Sequence, residues 1–218
     1  MKGMNEERDR RAILQEARLY LLISAPTDDD TFRRLVVEYR DGGADVLQLR
    51  DKNLSDAMLL QRALTLVELT RESRTLSIIN DRPDIAILAG ADGVHLGQED
   101  LPAAHVRRLV GNQVLIGVST HSVAQAVEAV ELGADYIGVG PTFPSRTKQF
   151  TEFTGLPLLR EVASRVSVPA FAIGGIDRHN LAQVVATGIR RIAVSAAVQT
   201  AADLPPLHLG VRHRSEAP

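Results

Sequence analysis

The chain has 218 residues, 44 % of them hydrophobic and 24 % charged, the size of one large domain or two small ones with ordinary globular composition. A formal net charge of -2 offers neither a polycation for nucleic acid nor a polyanionic tail, and the absence of cysteine excludes disulfides and thiolate metal sites. The N-terminal stretch MKGMNEERDRRAILQEARLYLLIS is charged where a secretory leader would be apolar, and no run approaches the roughly 18 apolar residues of a membrane span. A cytoplasmic protein without nucleic-acid or membrane partners is expected.

Along the chain, Asn5 to Ala17 reads as an extra helix ahead of the first strand. Short β-rich apolar runs then recur at Leu19 to Ile23, Val46 to Leu49, Leu76 to Ile79, Gly93 to His95, Val114 to Val118, Tyr136 to Val139, Ala170 to Ile173 and Arg191 to Val194. Amphipathic stretches lie between them, among them Asp30 to Asp41, Ser55 to Ser73, Ser122 to Leu132 and Arg178 to Ala186. Strand and helix alternation of this kind predicts a parallel sheet, and eight runs make a closed barrel the natural form, with an open doubly wound sheet as the competitor.

A repeat favours closure. Gly43-Ala44-Asp45, Gly90-Ala91-Asp92 and Gly133-Ala134-Asp135 each precede an even-numbered strand, and Gly188-Ile189-Arg190 is a degenerate fourth copy. Glycine there suits the left-handed residue that ends a helix. A motif returning every two βα units is what a fourfold barrel would carry. From Leu19 to Val194 the units average 22 residues, against roughly 30 in a typical barrel of about 250. The expectation is an α/β fold, a compact (β/α)8 TIM barrel in a single domain over 1–218. Its core would span about 18–203, and the tail LPPLHLGVRHRSEAP would be frayed.

In such barrels the chemistry sits at the C-terminal ends of the strands, and the unusual polar residues fall there. The second strand runs into Gln48, Arg50 and Lys52, and the third ends in Asn80-Asp81. The fourth leads to His95, Gln98 and Asp100, and the fifth to Ser119 and His121. The sixth opens into GPTFPSRTKQFTEFTG, while the seventh and eighth end in Gly174-Gly175 and Ser195. At the opposite rim the turns offer only Gly, Ala, Asp and Pro turn chemistry.

Each group has a plain reading and a functional one. Gly174-Gly175 is a tight turn or, paired with Ser195, the phosphate cradle after strands seven and eight. Arg50, Lys52 and Lys148 are solvated cations or, with Gln48, Arg50 and Lys52 aimed one way by strand alternation, a site for a more highly charged phosphate. Asp81 and Asp100 cap helices or hold Mg²⁺, which takes one or two carboxylates beside waters and phosphate oxygens. His95 reads as a packed, satisfied ring at the barrel end, and neither it nor His121 stands at zinc-site spacing. The segment Thr142 to Thr154 is long for a βα connection and reads as a lid over phosphate.

Six motifs in order, QLRDK at 48–52, ND at 80–81, GVHLGQEDLP at 93–102, GVSTHS at 117–122, GPTFPSRTK at 140–148 and AIGGI at 172–176, together resemble the thiamine-phosphate synthase family. The resemblance implies a transferase that joins hydroxymethylpyrimidine diphosphate to hydroxyethylthiazole phosphate, releasing diphosphate and forming thiamine phosphate. It implies that Gln48, Leu49, Arg50, Asp51, Lys52, Asn80, Ser119 and Lys148 bind the pyrimidine diphosphate, with Lys148, Ser119 and Arg50 acting in catalysis. Ser145, Arg146, Thr147, Gly175, Val194 and Ser195 would bind the thiazole phosphate, and Asp81 and Asp100 would hold Mg²⁺. The family commonly has threonine where this chain has Ser145, a change that keeps the hydroxyl. A related thiazole tautomerase, with His121 as acid or base, and a non-catalytic phosphate-ligand sensor are the rivals. The ND, Asp100 and Thr147-Lys148 set disfavours both. The sequence leaves a homo-oligomer open.

Overall fold

Every strand of this chain is buried on both faces, which parallel strands wrapped by helices require. The computed structural model describes residues 9–26, 28–144, 154–195, 201–204 and 207. Eight parallel strands, β1 (Leu19–Ile23), β2 (Val46–Leu49), β3 (Leu76–Asn80), β4 (Gly93–Leu96), β5 (Leu115–Thr120), β6 (Tyr136–Val139), β7 (Ala170–Ile173) and β8 (Ile192–Val194), close into a barrel in chain order. Closure is made by β1 against β8, with Leu19 opposite Ile192, Tyr20 opposite Ala193 and Leu21 opposite Val194. An open sheet is excluded.

The helices are α1 (Arg10–Glu16), α2 (Asp29–Asp41), α3 (Asp56–Thr70), α4 (Pro83–Ala89), α5 (Ala103–Val110), α6 (Val123–Glu131), α7 (Gly155–Arg165) and α8 (Leu181–Val185). Asp28, Ser55 and Ser122 cap α2, α3 and α6 with side-chain oxygens on backbone N–H groups. The last helix is shorter than its periodicity predicts. The Asp177 carboxylate accepts from the N–H groups of His179 and Asn180 and folds 177–180 into a turn before the helix starts. No helix among the described residues is long and apolar enough to cross a membrane.

Strand alternation sorts side chains into two cores. Leu21, Leu47, Leu49, Ile79, Val94, Ile116, Ile137 and Val139 face the helices, whereas Tyr20, Val46, Leu76, Ile78, Leu115, Tyr136, Phe171 and Ala193 fill the barrel. Phe171 meets Tyr20 and Tyr136 edge-on at centroid distances of 5.3 and 5.8 Å. Glycine makes room for these rings: a Cβ on Gly117 would overlap Tyr136, and one on Gly93 would lie 2.7 Å from the Ile78 Cδ1.

The four repeat glycines, Gly43, Gly90, Gly133 and Gly188, all have positive φ, between 68° and 99°. After the first three, the alanine N–H reaches back to close the helix, on Tyr39, Ala86 and Ala129 carbonyls at 2.9 to 3.0 Å. The aspartates do more than turn chemistry, which corrects the sequence reading. Asp45 Oδ2 accepts from the Arg18 and Leu19 N–H groups, Asp92 Oδ2 from the Ser77 N–H and hydroxyl, and Asp135 Oδ2 from the Ile116 N–H. Each ties the entry of an even strand to the odd strand before it. The fourth copy carries Arg190, a pure donor, and cannot repeat the device.

The extra helix begins at Arg10, with Asp9 as its cap. It lies across this rim: Leu14 and Ala17 join the inner core, while Arg10 and Arg11 pair with Asp92 and Asp135 at 2.9 Å. Arg107 adds a second cation on Asp135. The lower mouth of the barrel is stoppered.

Candidate active site

The upper mouth is polar. Gln48 points into the barrel and Leu49 away from it, so the Leu49 side chain belongs to the helix-side core and only its main chain remains for a ligand. β2 ends at Leu49, so alternation does not extend to Arg50 and Lys52 as the sequence suggested. Lys52 nonetheless reaches across to β3, its ammonium 3.5 Å from Asp81 Oδ2. The Asp51 carboxylate accepts from the Asn53 N–H at 2.9 Å and serves the turn.

Asp81 and Asp100 come together at this mouth. Neither caps a helix: α4 and α5 start at Arg82 and Pro102 without a side-chain cap bond. Asp81 is the one non-glycine residue with positive φ among the described residues, at 61°, a conformation aspartate tolerates better than most. Its N–H bonds to the His95 carbonyl at 2.8 Å, which holds the turn over β4. Asp100 Oδ2 accepts from the Gly97 N–H at 2.6 Å. Burial, followed by the hydrogen-bonded, like-charged Asp100, raises the Asp81 carboxyl above its ordinary range, and Lys52 opposes the shift. Two adjacent carboxylates in a half-buried mouth attract a cation. Among the described residues no group of three or more His, Cys, Asp or Glu side chains gathers into a metal site, and an oxygen-only pair suits a hard ion completed by water or phosphate.

Below them lies a hydrogen-bonded series that the sequence did not reveal. Gln48 Nε2 donates to Asn80 Oδ1 at 2.7 Å, and the Tyr20 hydroxyl donates to Gln48 Oε1 at 2.5 Å. Tyr20 and Tyr136 hydroxyls lie 3.0 Å apart. The His95 ring touches the Tyr136 hydroxyl through Nδ1 at 3.3 Å and the Ser119 hydroxyl through Nε2 at 2.9 Å. Burial pushes His95 down to about 4, against the pull of Asp100, so the ring is neutral near pH 7. It also pushes both tyrosines upward, so their protons stay on. The reading of His95 as a satisfied ring holds, but its partners are site residues. The missed residues, Tyr20 and Tyr136, had one signal: both stand at inward positions, and β5 offers Gly117 beside Tyr136.

His121 Nδ1 donates to the Gly140 carbonyl at 2.6 Å, tying the end of β5 to that of β6. Gly174 and Gly175 have φ of 99° and 62°. A Cβ on Gly174 would stand 2.7 Å from Pro141 Cα, and one on Gly175 would press on the carbonyls of Phe143 and Pro144. The pair therefore lets the base of the long loop lie against β7. The Val194 side chain is buried in the helix-side core, while Ser195 is exposed at the rim. Ser195 also edges a cavity of about 180 Å³ whose walls are Leu21, Ile23, Leu35 and Tyr39. Among the described residues neither Asp81 nor Asp100, nor any charged group, lines that cavity. Ser145, Arg146, Thr147 and Lys148, with the expected lid, lie outside the described residues.

Known proteins resemble this chain in sequence and in fold. A family model described as thiamine monophosphate synthase matches residues 19–198. A thiamine-phosphate synthase of Rhodopirellula baltica is 43 % identical over 217 residues, covering 97 % of this chain and 57 % of that protein. That of Lawsonia intracellularis is 43 % identical over 187 residues, 83 % of this chain and 86 % of that protein. The chain thus spans little more than half of the first relative and most of the second. Among solved structures, thiamine phosphate pyrophosphorylase from Pyrococcus furiosus superposes with a TM-score of 0.79 at 33 % identity, covering 92 % of this chain and 96 % of that one.

Proposed function

The chain belongs to the thiamine monophosphate synthase family, and we propose that it joins hydroxymethylpyrimidine diphosphate to hydroxyethylthiazole phosphate, giving thiamine phosphate and diphosphate. The observation that carries this reading is the Asp81–Asp100 pair, with Lys52 beside it, standing over a mouth lined by Gln48, Asn80 and Ser119. A monophosphate isomerase has no use for paired carboxylates at that place, and a sensor has none for a site that neutralises a departing anion. Both rivals fall behind for that reason.

The chemistry needs little from the protein beyond placement and charge. The bond between the pyrimidine methylene carbon and the diphosphate oxygen breaks, its electron pair leaving with diphosphate, and the aminopyrimidine ring stabilises the resulting methylene cation. The thiazole nitrogen then donates its lone pair to that carbon. Lys52 and Arg50, joined by Lys148, would neutralise the departing anion, while Gln48, Asn80 and Ser119 hold the ring in line for attack. Asp81 and Asp100 would hold Mg²⁺, and that ion, when bound, supplies neutralising charge to the diphosphate oxygens. Gly175, Ser195 and the Ser145–Thr147 hydroxyls would receive the thiazole phosphate. Among the described residues no side chain is set up as a covalent nucleophile, and the scheme requires none.

The test mixes the protein, Mg²⁺ and both heterocyclic phosphates and follows thiamine phosphate. Formation that stops with chelator and resumes with added Mg²⁺ supports the reading; folded protein that forms none under any metal condition overturns it.

A further inference from the structure

Asn80, Gln48, Tyr20, Tyr136, His95 and Ser119 come from β3, β2, β1, β6, β4 and β5 and form one unbroken series of hydrogen bonds across the barrel. Its direction follows from proton count. At 2.5 Å the Tyr20–Gln48 contact has the length of a hydroxyl on an oxygen, below the roughly 2.7–3.2 Å of an amide N–H bond, so Gln48 presents Oε1 there. Its Nε2 is left to donate to Asn80 Oδ1. A phenol carries one proton, and that of Tyr20 is spent on Gln48, so Tyr136 must donate to Tyr20. Tyr136 can then only accept from His95, whose proton sits on Nδ1. The ring lies between those of Tyr20 and Tyr136, and among the described residues its nitrogens meet only hydroxyls, with no carboxylate to hold a second proton, so Nε2 keeps a lone pair and the Ser119 hydroxyl donates to it.

Both ends of the series face the mouth with opposite character. Ser119 has only lone pairs to offer a ligand. Asn80 turns its carbonyl to Gln48, which fixes the amide so that its NH₂ is the end directed away from the series. We propose that Tyr20, Tyr136 and His95 are positioning residues that lock Ser119 as an acceptor and Asn80 as a donor, and so select a ring bearing an amino group beside an unprotonated ring nitrogen. This rests on the functional reading above, in which that ring is an aminopyrimidine. The corresponding oxo ring, with a carbonyl and a ring N–H, would set acceptor against acceptor and donor against donor, a mismatch that costs selectivity ratios of about 10⁴ where the site is dry.

The experiment has two arms. Nitrogen-15 NMR of the histidine-labelled protein, with His95 assigned by the signal lost in His95→Gln, reads which ring nitrogen bears the proton. Equilibrium binding compares hydroxymethylpyrimidine diphosphate in its amino and oxo forms. The parent is expected to show the proton on Nδ1 and to prefer the amino form by at least about 100-fold. In Tyr136→Phe the Nδ1 proton loses its acceptor. In Tyr20→Phe the Tyr136 proton turns back onto His95 Nδ1. Either change moves the ring proton to Nε2, makes Ser119 a donor and cuts the preference by tenfold or more, and the second variant serves if the first does not fold. A purely structural role for the tyrosines would lower the melting temperature and leave tautomer and preference alone. The proposal is overturned by an Nε2 proton in the parent, even while thiamine phosphate still forms, or by an unaltered preference in a folded phenylalanine variant. A parent with the Nδ1 proton that binds neither pyrimidine overturns the selectivity together with the functional reading beneath it.

Discussion

Both mouths of the barrel carry carboxylates, and the two are treated in opposite ways. At the lower mouth, Asp45, Asp92 and Asp135 accept backbone N–H groups, and Asp92 and Asp135 also meet arginines from α1 and α5. Their charge is consumed by the fold. At the upper mouth, Asp81 and Asp100 face each other, with Lys52 the cation in reach of Asp81. That charge stays available to something bound from outside. The same residue type therefore supports stability at one end of the strands and, under the proposed function, chemistry at the other, as barrels divide the labour.

The sharpest way to break this contrast is at the upper mouth. Asp81→Asn and Asp100→Asn should each remove several kcal/mol of transition-state stabilisation, roughly 10³-fold in kcat/KM measured by thiamine phosphate formation. Neither should lower the melting temperature of metal-free protein. Asp81→Asn should raise it, because the lost charge is one that burial and Asp100 disfavour, and asparagine accepts the positive φ. Parental activity in both variants would take these carboxylates out of the chemistry.

The converse change is at the lower mouth. Asp92→Ala strands the Ser77 N–H, the Ser77 hydroxyl and Arg10, and should cost about 3 kcal/mol. For a chain of this size that lowers the melting temperature by roughly 6–12 °C. Turnover per folded molecule should be unchanged; a large fall in kcat without a fall in stability would erase the division between the mouths.

Acid probes the buried series between them. His95 titrates at about 4 in the folded chain against an ordinary 6.5, chiefly because burial penalises its charge. As pH falls below 6.5 the unfolded chain takes up this proton first, so stability drains away between about 6.5 and 4, by about 2–3 kcal/mol. Urea midpoints across that window should be flatter in His95→Gln than in the parent, and parallel curves would deny His95 this role. The smallest effect is expected from Arg11→Ala, whose half-exposed pair with Asp135 leaves Arg107 in place. A melting shift above about 2 °C would mean that α1 is held by that pair and not by Leu14 in the inner core.

Most of the architecture was legible because it rests on period and punctuation. Four of the eight strand boundaries, at β1, β2, β6 and β7, coincide with the apolar runs, since a strand buried on both faces is apolar along most of its length, Gln48 in β2 being the polar exception. The glycine repeat was legible too, because only a backbone demand for positive φ explains glycine at that place. Asp81 was legible as a rim residue and as the partner of Asp100, but its rival role as a helix cap fell only when α4 was seen to start without it. The short α8 was misjudged because an aspartate turn competes locally with helix, a contest that periodicity does not register.

The sequence by itself determined the parallel barrel, the mouth at which polar residues gather and the family to which the chain belongs. Each of those depends on residues near one another in the chain or on a pattern that recurs along it. The tertiary structure alone decided that three aspartates of one repeat are bound into the lower rim while Asp81 and Asp100 at the upper one cap no helix. It alone brought Tyr20 and Tyr136, which are 116 residues apart, within 3.0 Å, with Gly117 leaving room for the Tyr136 ring. Closing the sheet converts distant positions into neighbours, and only then does each hydroxyl's single proton have a direction to take.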